Sequence, residues 1–273
     1  MSITKQDFNF VRDVVRSRSA ILLDDNKGYL VEMRLSALAQ KEGIDDVQTL
    51  ISTVRDKGNI SLRELMVEAM TTNETSFFRD RHPFDAMRDT ILPELIEKRA
   101  ATRSLKIWCG AASTGQEPYS LAILLRDSLP HPSLWDSKII ATDISPEVLG
   151  KAERGLYTQH EVGRGLPAAM LVKHFKRTGL EWEVKDELKA MVDYRRFNLV
   201  EPWMGLPKFD IIFMRNVLIY FDTDVKKQIL TNALKYLAPD GYLFLGGSET
   251  LLGLGLDYHR VNLGPVSAYC PGA

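Results

Sequence analysis

The stretch Leu105-Lys-Ile-Trp-Cys-Gly-Ala-Ala-Ser-Thr-Gly-Gln-Glu-Pro-Tyr-Ser-Leu-Ala-Ile-Leu-Leu125 decides the fold. Leu105 to Cys109 is a short apolar run and reads as a buried strand. Small and polar residues follow, from Gly110 to Gly115. A helix is predicted from about Pro118, because Leu121, Leu124 and Leu125 fall on one face. Strand, small-residue turn and helix is how an α/β protein presents a helix N-terminus to a ligand. Small side chains let that ligand approach the backbone, and glycine accepts unusual dihedrals. The turn lacks the Gly-Lys-Ser/Thr of a P-loop. With only Gly110 and Gly115, it also lacks the Gly-x-Gly-x-x-Gly of a dinucleotide site.

The surrounding composition is that of an ordinary soluble chain. Its 273 residues suffice for one large domain or two smaller ones, at 45% hydrophobic and 26% charged. A net charge of −1 gives no global basic field for nucleic acid. No apolar run approaches the roughly 18 residues of a membrane span, and the first residues carry no signal-peptide core. A cytoplasmic location without membrane insertion is therefore expected. Cys109 and Cys270 sit in apolar stretches and read as reduced core residues. The histidines are scattered, so no metal site is expected.

Upstream of the deciding stretch, residues 1–75 read as a helical domain. Amphipathic segments run over Asp7–Ser17, Gly28–Ala39, Asp46–Val54 and Ser61–Met70, punctuated by Gly43 and a Lys57-Gly58-Asn59 turn. Residues 76–100 read as a linker and a bridging helix from Pro83 to about Glu97. From 101 to 273, strand and helix patterns alternate, the signature of a mostly parallel sheet covered by helices. Strands are predicted at Leu105–Cys109, Ser137–Thr142, Val192–Phe197, Phe209–Met214 and Tyr242–Leu245. A helix over about Thr223–Leu237 is predicted to stop at Pro239-Asp240-Gly241, and His259–Leu263 with Val266–Cys270 reads as a closing hairpin. Residues 156–191 interrupt the alternation as a small β insert, turning near Thr178-Gly179. Such an insert serves either a partner or substrate, or the stability of the domain.

Ligands of open α/β sheets bind outside the carboxyl ends of the strands. Glu117, Asp143, Asn198 and Asn216 fall just past four of those ends. Asp143 is placed to accept from a ribose diol, since an ionised carboxylate offers acceptors only; it could instead cap the helix opened by Ser145-Pro146. Thr114-Gly-Gln-Glu117 also spells a capping box. Asn198 and Asn216 also fit turn chemistry.

Thr71-Thr-Asn-Glu-Thr-Ser-Phe-Phe-Arg79, Ala111-Ala-Ser-Thr-Gly-Gln-Glu-Pro-Tyr-Ser120, Ala141-Thr-Asp-Ile-Ser145, Asn198-Leu199 and Phe209-Asp-Ile-Ile-Phe-Met-Arg-Asn-Val-Leu-Ile-Tyr-Phe-Asp222 resemble motifs of the CheR family of chemotaxis receptor methyltransferases. The resemblance covers nearly the whole chain. It implies an all-α N-terminal domain, then a Rossmann-like S-adenosylmethionine-dependent methyltransferase domain with a β insert. By it, the cofactor is S-adenosyl-L-methionine, the product S-adenosyl-L-homocysteine, and the substrates are glutamates of chemoreceptor cytoplasmic domains, which become γ-methyl esters in chemotactic adaptation. Family cofactor contacts carry onto Asn73, Thr75, Arg79, Glu117, Asp143, Asn198, Leu199, Asn216 and Val217. Arg79 and Tyr220 are the polar residues it places nearest the reacting methyl, as catalytic candidates. Phe77 and Phe78 are expected in interdomain packing.

Two departures from the family bear on partners. Members that dock by charge carry an Arg-rich second helix, whereas here that helix offers Arg34 and Lys41 beside Glu32. Members that grip a receptor's C-terminal peptide carry a longer insert loop, so no tight tether-peptide binding is expected. A monomer is expected. The rival readings are a catalytically silent cofactor-binding regulator and a nucleic-acid methyltransferase. The second would carry an Asn/Asp-Pro-Pro-aromatic motif where this chain has Asn216-Val-Leu-Ile. Methyl transfer to a carboxylate needs no general base, because a glutamate with a reference pKa near 4.3 is already ionised at neutral pH.

Overall fold

Thr4 opens the first helix, its hydroxyl accepting from the Asp7 N–H at 3.1 Å. In the computed structural model, which describes residues 3–56 and 58–272, this helix, α1, spans Lys5–Ser19. Three more follow: α2 (Gly28–Lys41), α3 (Val47–Arg55) and α4 (Ile60–Ala69). Asp46 caps α3 and Asn59 caps α4 by the same side-chain device. Lys57, in the turn predicted between them, lies outside the described residues. The apolar faces meet in a core of Val11, Val15, Val31, Leu35, Leu50 and Met66, all fully buried. Arg34 donates to the Met70 carbonyl at 2.6 Å and to Thr72 Oγ1 at 3.0 Å, so its fork is engaged within this unit.

Contacts divide the chain into two compact units. The helical one runs to Thr72 and includes Tyr220–Lys226. That second piece is held by a Leu22 N–H to Tyr220 carbonyl bond of 2.9 Å and an Arg16–Asp222 ion pair of 3.6 Å. The other unit takes Asn73–Ile219 and the chain from Lys227 onward.

The bridging helix lies wholly in the second unit, as α5 (His82–Ala86), a π-helical turn (Met87–Ile91) and α6 (Leu92–Lys98). Alternation then begins: β1 (Ser104–Cys109), α7 (Gln116–Ser128), β2 (Asp136–Asp143) and α8 (Pro146–Arg154). The insert follows as β3 (Leu156–Thr158), α9 (Gln159–Gly163), α10 (Ala168–His174), β4 (Phe175–Thr178), β5 (Glu181–Val184) and α11 (Asp186–Lys189). The main fold resumes with β6 (Val192–Arg196), β7 (Phe209–Met214), α12 (Thr223–Tyr236), β8 (Leu237–Leu245), β9 (Tyr258–Leu263) and β10 (Val266–Pro271).

The large sheet has the order β6-β2-β1-β7-β8-β10-β9. Its first five strands are parallel, and β10 pairs antiparallel with both β8 and β9, which is the predicted closing hairpin. The order reverses between β1 and β7, so the crevice beyond their carboxyl ends is the topological switch point. The helix α12 ends at Tyr236, just before the predicted Leu237, and regular pairing with β7 resumes at Tyr242, as predicted for that strand. Residues 238–241 stand opposite Asp210 alone, and such an irregularity tolerates a proline that cannot donate to the ladder. One expectation is corrected. Phe77 and Phe78 pack inside the second unit, not between domains. The Phe77 ring meets Tyr157 and Phe175 edge-on at 5.0 and 5.6 Å, and Phe78 meets Phe84 at 5.3 Å.

The insert forms a three-stranded antiparallel sheet, β3-β5-β4. Its β4–β5 turn is the two residues Gly179 and Leu180, with Gly179 at φ +62°. The third strand, β3, is only three residues long and carries no readable alternation. Tyr157, Val162, Leu166, Phe175, Val184 and Leu188 join the same core cluster as β1 and α7, so the insert is built into the domain.

Candidate cofactor site

The turn after β1 is pinned to the end of β2. The Ser113 N–H donates to Asp143 Oδ2 at 2.8 Å, and the Ser145 N–H donates to Asp143 Oδ1 at 3.0 Å. Ser145 itself caps α8, its hydroxyl accepting from Val148 N–H. Asp143 thus clamps two loops, and its carboxylate stands at the carboxyl end of β2, next to the switch-point strand β1, already oriented by backbone donors. The capping box predicted at Thr114–Glu117 does not form. Gly115, at φ +95°, takes the N-cap of α7, and Thr114 Oγ1 bonds Gln116 Oε1 instead. Gly115 has no room for a side chain: a Cβ would lie 2.7 Å from the Tyr157 hydroxyl and 2.8 Å from Ala152 Cβ.

Freed from capping, Glu117 points into the core. Its Oε2 takes Arg215 Nη1 at 2.5 Å, and its Oε1 accepts from Cys109 Sγ at 3.3 Å. Burial, reinforced by the Glu117 charge, pushes the Cys109 thiol well above its ordinary pKa, so it stays a protonated donor. The Arg215 side chain is fully buried. Its Nη2 donates to Asp80 Oδ2 at 2.7 Å and to the Arg79 carbonyl at 3.0 Å, and the guanidinium lies 5.6 Å from the Phe84 ring centre.

The polar stretch from Asn73 to Asp80 is stitched onto this frame. Ser113 Oγ donates to the Asn73 carbonyl at 2.8 Å, the Phe78 N–H donates to Ser120 Oγ at 2.9 Å, and Arg79 Nη1 donates to the Glu74 carbonyl at 2.8 Å. Backbone strain collects here. Phe78, Asp80, Arg81, Ser113 and Asn216 are five of the eight non-glycine residues with positive φ among those described. Each costs on the order of 1–3 kcal/mol, and such residues cluster at ligand sites. Asn73 and Asp143 are therefore brought together at the β1 turn through Ser113, and Arg79 is tied to the same polar stretch as Asn73 and Thr75.

Asn198 and Asn216 do the turn chemistry that their alternative reading expects. Asn198 Oδ1 accepts from the Val200 N–H at 3.3 Å, and its Nδ2 donates to Glu201 Oε1 at 3.0 Å. Leu199 is buried beside it. Asn216 turns the chain after β7 at φ +57°, and Val217 follows half-buried. Tyr220 falls in the helical unit. Two residues that organise the site, Arg215 and Glu249, are absent from the sequence reading. Arg215 carries a signal in principle, since a lone cation ends the apolar strand Phe209–Met214. Glu249 carries none. Among the described residues no cluster of metal-ligating side chains is present, and no helix is long and apolar enough to cross a membrane.

Two family models match the chain in tandem: the all-alpha domain of CheR methyltransferases over residues 6–71, and their SAM binding domain over residues 73–263. The chain belongs to the CheR methyltransferase family. Relatives cover it almost from end to end. The chemotaxis protein methyltransferase Cher2 of Pseudomonas putida is 40% identical over 98% of this chain and 99% of its own length. Chemotaxis protein methyltransferase 1 of Pseudomonas aeruginosa matches to the same extent, 40% over 98% and 99%. The Salmonella typhimurium chemotaxis protein methyltransferase is 36% identical over 93% of this chain and 87% of its own. As a CheR methyltransferase, this protein uses S-adenosylmethionine.

The donor set fits that cofactor. Asp143 offers a fixed carboxylate to a ribose diol. Asn216 with Val217, and Asn198 with Leu199, combine an amide and an apolar side chain, as a purine requires. Arg79 offers a cation to the carboxylate of an amino-acid moiety, whereas both Glu117 oxygens are already engaged by Arg215 and Cys109. Asp143→Ala is expected to weaken cofactor binding about 10- to 100-fold, since hydrogen bonds to a charged acceptor contribute roughly 1.5–3 kcal/mol. Calorimetry on the folded variant checks this, and an unchanged affinity would remove Asp143 from the site.

Proposed function

We propose that this CheR methyltransferase esterifies glutamate side chains on the cytoplasmic domains of chemoreceptors, acting as a cytoplasmic monomer. The observation that carries the reading is the near end-to-end likeness to chemotaxis methyltransferases, at 40% identity. The bound cofactor supplies an electrophilic methyl group. The chain's own residues bind and orient. Asp143, with the Asn198-Leu199 and Asn216-Val217 pairs, holds the nucleoside portion, and Asn73, Thr75 and Glu117 complete the site. Arg79, tied to its own loop through the Glu74 carbonyl, uses its other donors to align the substrate carboxylate. Tyr220 is the second orienting group in this reading. The receptor carboxylate attacks in its ionised form and no proton has to move.

Radiolabelled methyl transfer to receptor-containing membranes tests the proposal. The label should enter receptor in an alkali-labile form, as an ester does. The single-turnover rate should be nearly flat over about pH 6–8, where a base with a pKa near 7 would give a sloping limb. A two-residue β4–β5 turn supports binding without a receptor tail, so receptors lacking their C-terminal peptide should be labelled equally. Alkali-stable label, or label in nucleic acid only, would overturn the assignment.

A further inference from the structure

The loop after β7 is a built anion hole that the protein fills with its own carboxylate. Left-handed Asn216 followed by a 3₁₀ turn from Leu218 points successive N–H groups at one spot, the geometry of an anion-binding nest. Glu249 occupies it. Its Oε1 accepts from the N–H groups of Val217 at 2.9 Å, Leu218 at 2.7 Å and Ile219 at 3.3 Å. Its Oε2 accepts from Asn216 at 2.8 Å and Gly246 at 2.7 Å. The turn Gly246-Gly-Ser-Glu249, closed by the Glu249 N–H to Gly246 carbonyl bond of 2.9 Å, delivers this carboxylate from the end of β8. Glycine is required at 246. A Cβ there would lie 2.7 Å from Glu249 Oε2, 2.8 Å from Asn216 Nδ2 and 2.9 Å from the Asn216 nitrogen.

We infer that Glu249 is a positioning residue for the cofactor site: it sets the backbone from which Asn216 and Val217 reach the cofactor. The inference rests on the assignment of those two residues as cofactor contacts. Because the loop's N–H groups are spent on Glu249, recognition at this corner falls to the Asn216 and Val217 side chains. One carboxylate answers five donors on two segments, so no other side chain can substitute for it. Glutamine keeps the shape but offers a single acceptor oxygen and turns two donors toward donors.

The test uses the full chain. Glu249→Gln should weaken S-adenosylhomocysteine binding, read by calorimetry on folded protein, at least about tenfold. The loss should be larger in cofactor affinity than in the single-turnover rate at saturating cofactor. Glu249→Asp retains the charge and should recover part of the affinity. Gly246→Ala should reproduce the affinity loss without removing any ionisable group. Glu94→Gln is the control for a purely structural role. Glu94 accepts from Tyr242 and pairs with Lys98 on the same domain, and its loss should lower the melting temperature but leave affinity unchanged. Should the Glu249 variants not fold, the wild type still decides, since amide exchange at Val217 and Leu218 should be slow without cofactor. Wild-type affinity in folded Glu249→Gln, or fast exchange at those amides, overturns the inference alone. Absence of binding by the wild type overturns the cofactor reading and this inference with it.

Discussion

Replacing Arg215 with methionine is expected to cost about 3–5 kcal/mol, the usual penalty for removing one partner of a buried ion pair. In a domain of this size each kcal/mol lowers the melting temperature by about 2–4 °C, so a fall of roughly 6–20 °C should be seen by circular dichroism. Methionine fills similar space, so the loss does not come from a cavity. It comes from Glu117, whose side chain is only 10% exposed and would keep a weak Cys109 thiol as its remaining donor. Asp80, 52% exposed, can turn to water and adds little. The pair is therefore separable. Glu117→Gln added to Arg215→Met should restore much of the stability, because a neutral amide needs no counter-ion. It should not restore cofactor affinity, because Glu117 is read as a cofactor contact. A double variant as unstable as Arg215→Met would show that the buried carboxylate is not the source of the loss.

That pair also marks the limit of what the sequence makes legible. The parallel strands β1 and β7 are readable because Leu105–Cys109 and Phe209–Met214 are mostly apolar runs, ended by Gly110 and by Arg215, and local composition decides them. Asp143 is readable because it ends such a run and precedes Ser145-Pro146. Arg215 and Glu117 stand 98 residues apart, and Arg215 and Asp80 stand 135 apart, so nothing local announces that the charges meet. Glu249 serves a loop 30 to 33 residues away through backbone N–H groups, which have no sequence signature. Thr114 fails as a cap for a physical reason. Gly115 enters the left-handed region, starts α7 one residue later, and releases Glu117 to the interior. Tyr220 joins the helical unit because the chain returns there between β7 and α12, a path that no periodicity records.

The second large effect is expected at Gly165, in the β insert. Its φ of +88° is already unfavourable to an L side chain, and a Cβ there would lie 2.0 Å from the Phe77 carbonyl oxygen and 3.1 Å from the carbonyl carbon. Backbone cannot swing aside as a side-chain tip can. Gly165→Ala therefore combines about 1–3 kcal/mol of dihedral strain with about 1–3 kcal/mol of forced displacement. The melting temperature should fall by roughly 4–24 °C. The displacement acts on the segment that carries Asn73, Thr75 and Arg79. Phe77 is fully buried between Tyr157 and Phe175, and the next residue donates its N–H to Ser120. Cofactor affinity of the folded variant should drop along with stability. Gly163→Ala is the matched control. It lies two residues earlier at the end of α9, with nothing within 4 Å of the added carbon. Alanine is the better helix former there, so its melting temperature should be unchanged or slightly raised. If Gly165→Ala and Gly163→Ala melt together, the insert does not press on Phe77, and the first cofactor motif is held in place by the β1 turn and α7 alone.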